Sequence, residues 1–168
     1  MKGYKRIIFI VNLLAVLVVF NWMILQKEHT INNGELVLLE LYPLDPRSLM
    51  QGDYMNLRYE MTRQWNLNDS IPTRGYCILR KGSNNIGSFE RLQSSRTPLA
   101  SNELAIKYYR TAHFVKIGAE SFLFEEGQAE TYEQAKYGGL KVEPNGSAVL
   151  VGLYDASGTK IISNYDIE

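Results

Sequence analysis

Residues 7 to 25 read IIFIVNLLAVLVVFNWMIL, a run of nineteen residues without a charge that follows Lys2, Lys5 and Arg6. At about 1.5 Å of rise per residue, a helix of this length is roughly 28 Å long, close to the thickness of the hydrocarbon core of a bilayer. The run therefore predicts a transmembrane helix. It divides the chain into a cytoplasmic tip with its anchor, residues 1–27, and a single domain, residues 28–168.

The charges on either side of the run predict its orientation. Three basic residues precede it, and only Lys27 and Glu28 follow it closely. The positive-inside rule therefore places the N-terminus in the cytoplasm and the domain of residues 28–168 on the other side of the membrane. Trp22, near the outer end of the run, is typical of the interface between lipid and water.

Two other interpretations of the run are a cleaved signal peptide and a buried core helix. A signal peptide has a shorter apolar stretch and small residues at its cleavage site, which the segment Trp22–Gln26 lacks. The length and the basic flank argue against a core helix. The prediction is an uncleaved anchor in the lipid bilayer. Within it, Asn12 or Asn21 could also pair with a helix of another membrane protein.

Composition limits the functions open to the domain. Its 141 residues suffice for one hydrophobic core. It carries 14 basic and 18 acidic residues, and most of the acidic excess follows Gly118. Because nucleic-acid binding needs a basic surface, no nucleic-acid partner is expected. Cys77 is the single cysteine, so no internal disulfide can form, and its alternating surroundings predict a buried apolar side chain.

The pattern of apolar residues and turn signals predicts an α+β, β-rich domain with a mostly antiparallel arrangement and one short helix. After a polar joint at residues 28–34, strands are expected at 35–42, 53–59, 75–81, 86–92, 104–109, 112–116, 121–124, 139–143 and 148–154. Turns are expected at 43–52, 82–85, 144–146 and 155–158, the last leading into a short hairpin strand at 159–162. A helix is expected over 127–137, ended by Gly138 and Gly139.

Residues 52 to 59 read GDYMNLRY and combine a turn with an alternating strand. Gly52 can adopt a positive φ and turn the chain into the strand. Met55, Leu57 and Tyr59 would then point to one side, toward the core. One interpretation of the motif is purely structural: a turn that fixes the register of a core strand.

The other face of the same strand supports a functional interpretation. Asp53 can accept hydrogen bonds from the amides of the turn or pair with Arg47. Tyr54 and Arg58 lie on the outer face, where an aromatic ring and a guanidinium group can stack. In this interpretation Arg47, Asp53, Tyr54 and Arg58 form a binding surface.

The motif resembles the signature of the GDYxxLxY family of bacterial membrane-anchored proteins, since Gly52, Asp53, Tyr54, Leu57 and Tyr59 occupy its fixed positions. The upstream segment LYPLDPRSL, residues 41–49, is similar to a family lead-in. The downstream segment GAESFLFEEG, residues 118–127, is similar to a family segment that has proline where this chain has Glu125. The resemblance implies an inner-membrane span, an extracytoplasmic domain and no assigned activity. It also suggests a complex with a multispanning membrane protein.

Catalytic and metal sites have little support in the sequence. The pattern Leu-x-x-Gly-Asp at residues 49–53 is similar to a block in type I signal peptidases, but the nucleophile position, 44, holds Leu. Ser48 lies too close to the glycine to replace it, although Lys81 or Lys107 could act as a base. His29 and His113 are isolated, so neither a metal nor another cofactor is expected.

The sequence therefore predicts a non-enzymatic accessory subunit of an envelope membrane complex. Two alternatives remain, a ligand-binding module and an envelope hydrolase.

Overall fold

The chain begins with one long helix, α1, which runs from Gly3 to Asn33. The computed structural model describes residues 3–42, 54–65, 72–111, 114–125 and 127–162. Helix α1 is long and apolar enough to cross a membrane, and its apolar side chains are exposed rather than packed against the domain. The predicted polar joint at 28–34 is mostly helical, because α1 continues to Asn33 and only Gly34 lies between it and the next element. The Gly34 N–H still donates to the Thr30 carbonyl at 2.9 Å, as in a further helical turn.

Nine strands and two short helical segments follow α1 within the described residues. They are β1 (Glu35–Glu40), β2 (Tyr54–Asn56), a 3-10 turn (Glu60–Gln64), β3 (Arg74–Lys81), β4 (Gly87–Gln93), β5 (Glu103–Arg110), β6 (Val115–Lys116), β7 (Ser121–Leu123), α2 (Ala129–Glu133), β8 (Tyr137–Val142) and β9 (Ala148–Tyr154). The fold is thus the predicted α+β, β-rich arrangement.

All pairings between these strands are antiparallel, and they form three small sheets. The strand orders are β1-β8-β9, β2-β7 and β4-β3-β5-β6. Single bridges join the sheets, including Leu38 with Ile86 and Leu41 with Tyr59. The predicted hairpins around 82–85 and 144–146 are both confirmed as β3-β4 and β8-β9.

The core lies where the inner faces of these sheets meet. Alternate residues of β1, β3, β5, β8 and β9 supply it, among them Val37, Leu79, Ile106, Leu140 and Leu153. Cys77 is fully buried there, as its surroundings predict, and burial raises the pKa of its thiol. Trp65 closes one end of the core, with its ring centroid 5.6 Å from that of Phe89 and 5.7 Å from that of Tyr108.

The helix predicted over 127–137 is shorter in the structure, and the glycines predicted to end it do not do so. Helix α2 spans only Ala129–Glu133, and Gly138 and Gly139 belong to strand β8 instead of stopping a helix. A Cβ at Gly138 would lie 3.1 Å from the Tyr59 ring, and a Cβ at Gly139 would overlap the Tyr154 ring. These glycines therefore make room for aromatic rings inside the sheet.

Candidate functional site

The predicted alternation of the motif strand is confirmed in its described part. Met55, Leu57 and Tyr59 are buried, while Asn56 and Arg58 are exposed. Strand β2 pairs with β7, and just beyond it the Leu57 N–H donates to the Glu120 carbonyl at 2.8 Å. The strand thus presents one apolar face to the core and one polar face to solvent.

Tyr59 anchors the end of this strand through its hydroxyl group. The hydroxyl donates a 2.6 Å hydrogen bond to the Ala119 carbonyl in a buried setting. Burial, with the charge of Glu120 nearby, raises the pKa of Tyr59, so the phenol stays protonated and able to donate. Tyr59 therefore has a structural role.

The loop that receives this bond is built around a glutamate. Glu120 Oε1 accepts hydrogen bonds from the backbone N–H groups of Ile117, at 2.5 Å, and Gly118, at 3.2 Å. Gly118 has φ of 83°, in the left-handed region that favours glycine. Two residues of the segment 118–127 thus shape the loop that holds the motif strand.

An open cleft of about 510 Å³ lies beside the outer face of the motif strand. We call it the motif cleft. It is lined by Tyr42, Asn56, Leu57, Arg58, Tyr59, Thr62, Arg63, Phe114, Val115, Lys116 and Glu120. Three separate parts of the chain meet here. They are Tyr42 just after β1, the end of the motif with the following 3-10 turn (residues 56–63), and the segment around β6 (residues 114–120).

The charge of the motif cleft is mainly positive. Arg63 is already engaged, because it pairs with Glu60 at 3.1 Å and lies 4.5 Å above the Tyr42 ring. Arg58 and Lys116 make no ion pair with any residue that the structure describes. Of the described residues that line the cleft, only Glu120 is acidic, and its Oε1 is occupied by the loop amides. The cleft therefore offers two cations to an anionic group.

Aromatic surface adds to these charges. Phe114 is 57% exposed and lines the cleft, and Tyr42 forms part of the cleft wall. Exposed aromatic rings beside arginine are typical of surfaces that bind proteins or flat ligands. The motif cleft thus combines apolar contact area with positive charge.

Part of the predicted binding surface cannot be compared with this cleft. Arg47, Gly52 and Asp53 lie outside the described residues, and so do the predicted turn at 43–52 and Ser48. The backbone of Tyr54 is described in β2, but its side chain is not. Of the four residues of the predicted binding surface, Arg58 is the one that the structure places in the cleft.

Four of the cleft residues that sequence reasoning did not predict are Tyr42, Arg63, Phe114 and Lys116. None belongs to a recognisable motif. Lys116 falls in a predicted strand, but no sequence pattern indicated that this strand would lie beside the motif. Long-range packing brings these residues together, so their spacing carries no signal.

The two lysines considered as catalytic bases have other surroundings. Lys81 pairs with Glu35 at 2.7 Å. Lys107 Nζ lies 3.3 Å from Ser147 Oγ, and the Lys107 side chain is exposed. His29 lies 3.4 Å from Glu143, and the described residues contain no group of three or more His, Cys, Asp or Glu placed to hold a metal ion.

Comparison with known proteins gives one match. A family model described as "GDYXXLXY protein" matches residues 16–153, from within α1 to near the end of β9. No curated protein and no solved structure matches the chain.

Proposed function

The chain belongs to the GDYXXLXY protein family, and from that premise we propose that it is a membrane-anchored accessory protein of a bacterial envelope complex. In this proposal α1 crosses the inner membrane with its N-terminus in the cytoplasm. The β-rich domain stands on the extracytoplasmic side, where it contacts a multispanning membrane protein. The basic residues before the apolar run support this orientation.

The motif cleft is the observation that carries the proposal. Arg58 and Lys116, which pair with no carboxylate among the described residues, and the exposed Phe114 suit an acidic loop of a partner protein. Interfaces are enriched in arginine and aromatic residues, and opposite charges guide the two surfaces together. The lining that the structure describes leaves the cleft partly open to solvent, which suits a protruding loop.

A small anionic ligand is the second candidate for the same cleft. Its volume of about 510 Å³ falls within the range of roughly 300–1,000 Å³ that is usual for small-molecule sites. Here the chain would act as a ligand-binding module, with Arg58 as the main contact to the anion.

Photo-crosslinking in native membranes tests the first proposal. A photoreactive phenylalanine analogue replaces Phe114, which lines the cleft, or, as a control, Ser157 in an exposed turn. We expect position 114 to give an adduct with a membrane protein and position 157 to give none. Adding Arg58→Glu should reduce the adduct about tenfold, equivalent to about 1.4 kcal/mol of binding energy.

Two results would contradict the accessory role. One is recovery of the uncrosslinked chain alone from both positions, and the other is an identical set of adducts from both. A small anion that leaves the purified chain on denaturation, together with no protein adduct, would favour the ligand-binding module.

A further inference from the structure

A second cleft lies where helix α1 meets the domain, and it contains no residue of the motif. It has a volume of about 560 Å³ and is lined in part by Lys27 of α1, Arg74 of β3, Lys107 and Tyr109 of β5, and Ser147 of the β8-β9 turn. We call it the joint cleft. Among the described lining residues the helix contributes Lys27, and the strands with their adjoining loops contribute the rest.

Positive charge dominates the joint cleft. Lys27, Arg74 and Lys107 form no ion pair with any described residue, and no carboxylate is among the described residues of the lining. Three cations in one cleft repel each other unless an anion lies between them. The hydroxyl of Ser147, 3.3 Å from Lys107 Nζ, adds a neutral hydrogen-bonding group.

The position of Lys27 determines which anion is within reach. Lys27 lies two residues beyond Leu25, the last residue of the apolar run, and thus about 3 Å farther along the helix. With the apolar run in the hydrocarbon core, Lys27 lies at the level of the lipid headgroups. Tyr109, which is 42% exposed, adds an amphipathic ring of the kind that favours this interface.

Contacts between the end of α1 and the domain keep the joint cleft at the level of the lipid headgroups. The Thr30 hydroxyl lies 2.5 Å from Glu143 Oε1, and Lys141 Nζ donates to the Gly34 carbonyl at 3.0 Å. These contacts fix the end of α1 against β8 and the turn that follows it. The cleft is therefore attached to the helix and cannot move freely away from the membrane.

We propose that the joint cleft binds the phosphate-bearing headgroup of an anionic phospholipid in the leaflet beneath the domain. The phosphate lies between Lys27, Arg74 and Lys107, because lysine and arginine are the usual partners of phosphate oxygens. The inference rests on the proposed spanning of the membrane by α1. It is independent of any partner at the motif cleft.

Lipid nanodiscs that contain the full chain provide the test. One set is made of phosphatidylcholine alone and another of phosphatidylcholine mixed with phosphatidylglycerol. Hydrogen exchange is measured at residues 74–76 and 107–109. In the wild type we expect slower exchange with phosphatidylglycerol present, and native mass spectrometry should show retained phosphatidylglycerol.

Matched charge reversals locate the effect. Arg74→Glu with Lys107→Glu should abolish both the slower exchange and the retained lipid. Lys27→Glu, which alters no residue of the β-rich domain, should weaken both. Lys160→Glu is the control for Lys27→Glu, because it makes the same charge change away from the cleft. Lys160 forms a β-bridge with Tyr154, at the end of β9 that lies roughly 20 Å from Ala148, so this variant should behave as the wild type.

Several outcomes would overturn the inference. Equal exchange in both kinds of nanodisc, or unchanged lipid retention in the Arg74→Glu and Lys107→Glu chain, would exclude a headgroup site. Protection by inorganic phosphate in the phosphatidylcholine discs, without an added effect of phosphatidylglycerol, would assign the site to a soluble anion. A chain that does not enter the discs would overturn the spanning proposal too, whereas the other outcomes leave the motif-cleft proposal standing.

Discussion

Tyr59 makes two structural contacts from a single side chain of the motif, one through its hydroxyl and one through its ring. Its hydroxyl satisfies the Ala119 carbonyl, and its ring lies against Gly138, where a Cβ would come within 3.1 Å of it. Leucine or methionine at this position would lack the hydrogen bond, and a side chain at Gly138 would push the ring away. The final tyrosine of the motif thus joins the motif strand both to the loop before β7 and to strand β8.

The hydroxyl of Tyr59 can be tested on its own. Tyr59→Phe keeps the ring but leaves the buried Ala119 carbonyl without its donor, so we expect the free energy of unfolding to fall by about 1–3 kcal/mol. The measurement is urea unfolding in detergent, followed by Trp65 fluorescence in a Trp22→Phe background. Tyr109→Phe, at an exposed tyrosine, should change stability by less than about 0.5 kcal/mol. Equal effects of the two changes would contradict the role of this bond.

Gly139 provides a second test at the scale of one residue. In Gly139→Ala the new methyl group overlaps the Tyr154 ring, so we expect a loss of about 1–3 kcal/mol from overpacking. Combining it with Tyr154→Leu should reduce the loss of stability caused by Gly139→Ala, because the smaller side chain leaves room for the methyl group. A double-mutant cycle from urea unfolding should then show a coupling energy of about 0.5–3 kcal/mol. Purely additive effects would show that the ring does not set the requirement for glycine.

At the scale of elements, a bidentate ion pair braces the connection between β4 and β5. Arg91 binds both carboxylate oxygens of Glu103, at 2.6 and 2.9 Å, and also donates to the Pro98 carbonyl. The Ala100 N–H donates to the same carboxylate. The Arg91 hydrogen bond, helped by the Ala100 amide, holds the pKa of Glu103 at about 2, compared with an ordinary value of 4.5.

This lowered pKa predicts a pH dependence of stability. Because the folded pKa lies below the unfolded one, the charged Glu103 stabilises the fold above about pH 4.5, and this stabilisation is lost as the pH falls toward 2. Glu103→Gln should therefore be less stable than the wild type at neutral pH and approach it near pH 2. Urea unfolding across this range provides the measurement. Glu125→Gln, at an exposed carboxylate, should keep the wild-type slope, and a constant gap between wild type and Glu103→Gln would contradict the prediction.

The elements also show what sequence reasoning can and cannot supply. Alternation and turn residues predicted the β3-β4 and β8-β9 hairpins, since both signals are local. The prediction that Gly138 and Gly139 end a helix is wrong. From sequence alone, a glycine that ends a helix cannot be distinguished from one that leaves space for an aromatic ring. The motif cleft could not be predicted beyond its motif residues Leu57, Arg58 and Tyr59. Tyr42, Phe114 and Lys116 reach it through long-range packing, which leaves no local signal in the sequence.

At the scale of the whole molecule, the link between helix and domain is short and well bonded. Thr30, His29 and Asn145 all approach the Glu143 carboxylate, and these hydrogen bonds, the one from Thr30 above all, lower its pKa. Thr30→Val should remove the main contact and speed hydrogen exchange at residues 30–34. Asn33→Ala, which removes only a bond to the His29 carbonyl within the helix, is the control. Equal exchange in both variants would show that the Thr30 contact does not hold the joint.

The proposed orientation of the whole chain can be tested with cysteine labelling in intact cells. Ser157→Cys places a thiol in an exposed turn of the domain, and Gly3→Cys places one at the start of α1. A membrane-impermeant maleimide should modify position 157 and leave position 3 unlabelled until the membrane is opened. The native Cys77 is buried, so it should contribute little background. Labelling of position 3 but not of position 157 in intact cells would show that the chain has the opposite orientation.

Only Gly34 separates the last residue of α1 from the first residue of β1. In the proposed spanning of the membrane by α1, the bilayer sets the tilt of the helix, and the short link passes that tilt on to the domain. A change of about 20° in helix tilt, comparable to the average tilt of membrane helices, would move a point roughly 20 Å from Gly34 by about 7 Å. Under this proposal, membrane thickness would influence the position of the domain, because thickness affects the tilt of the helix.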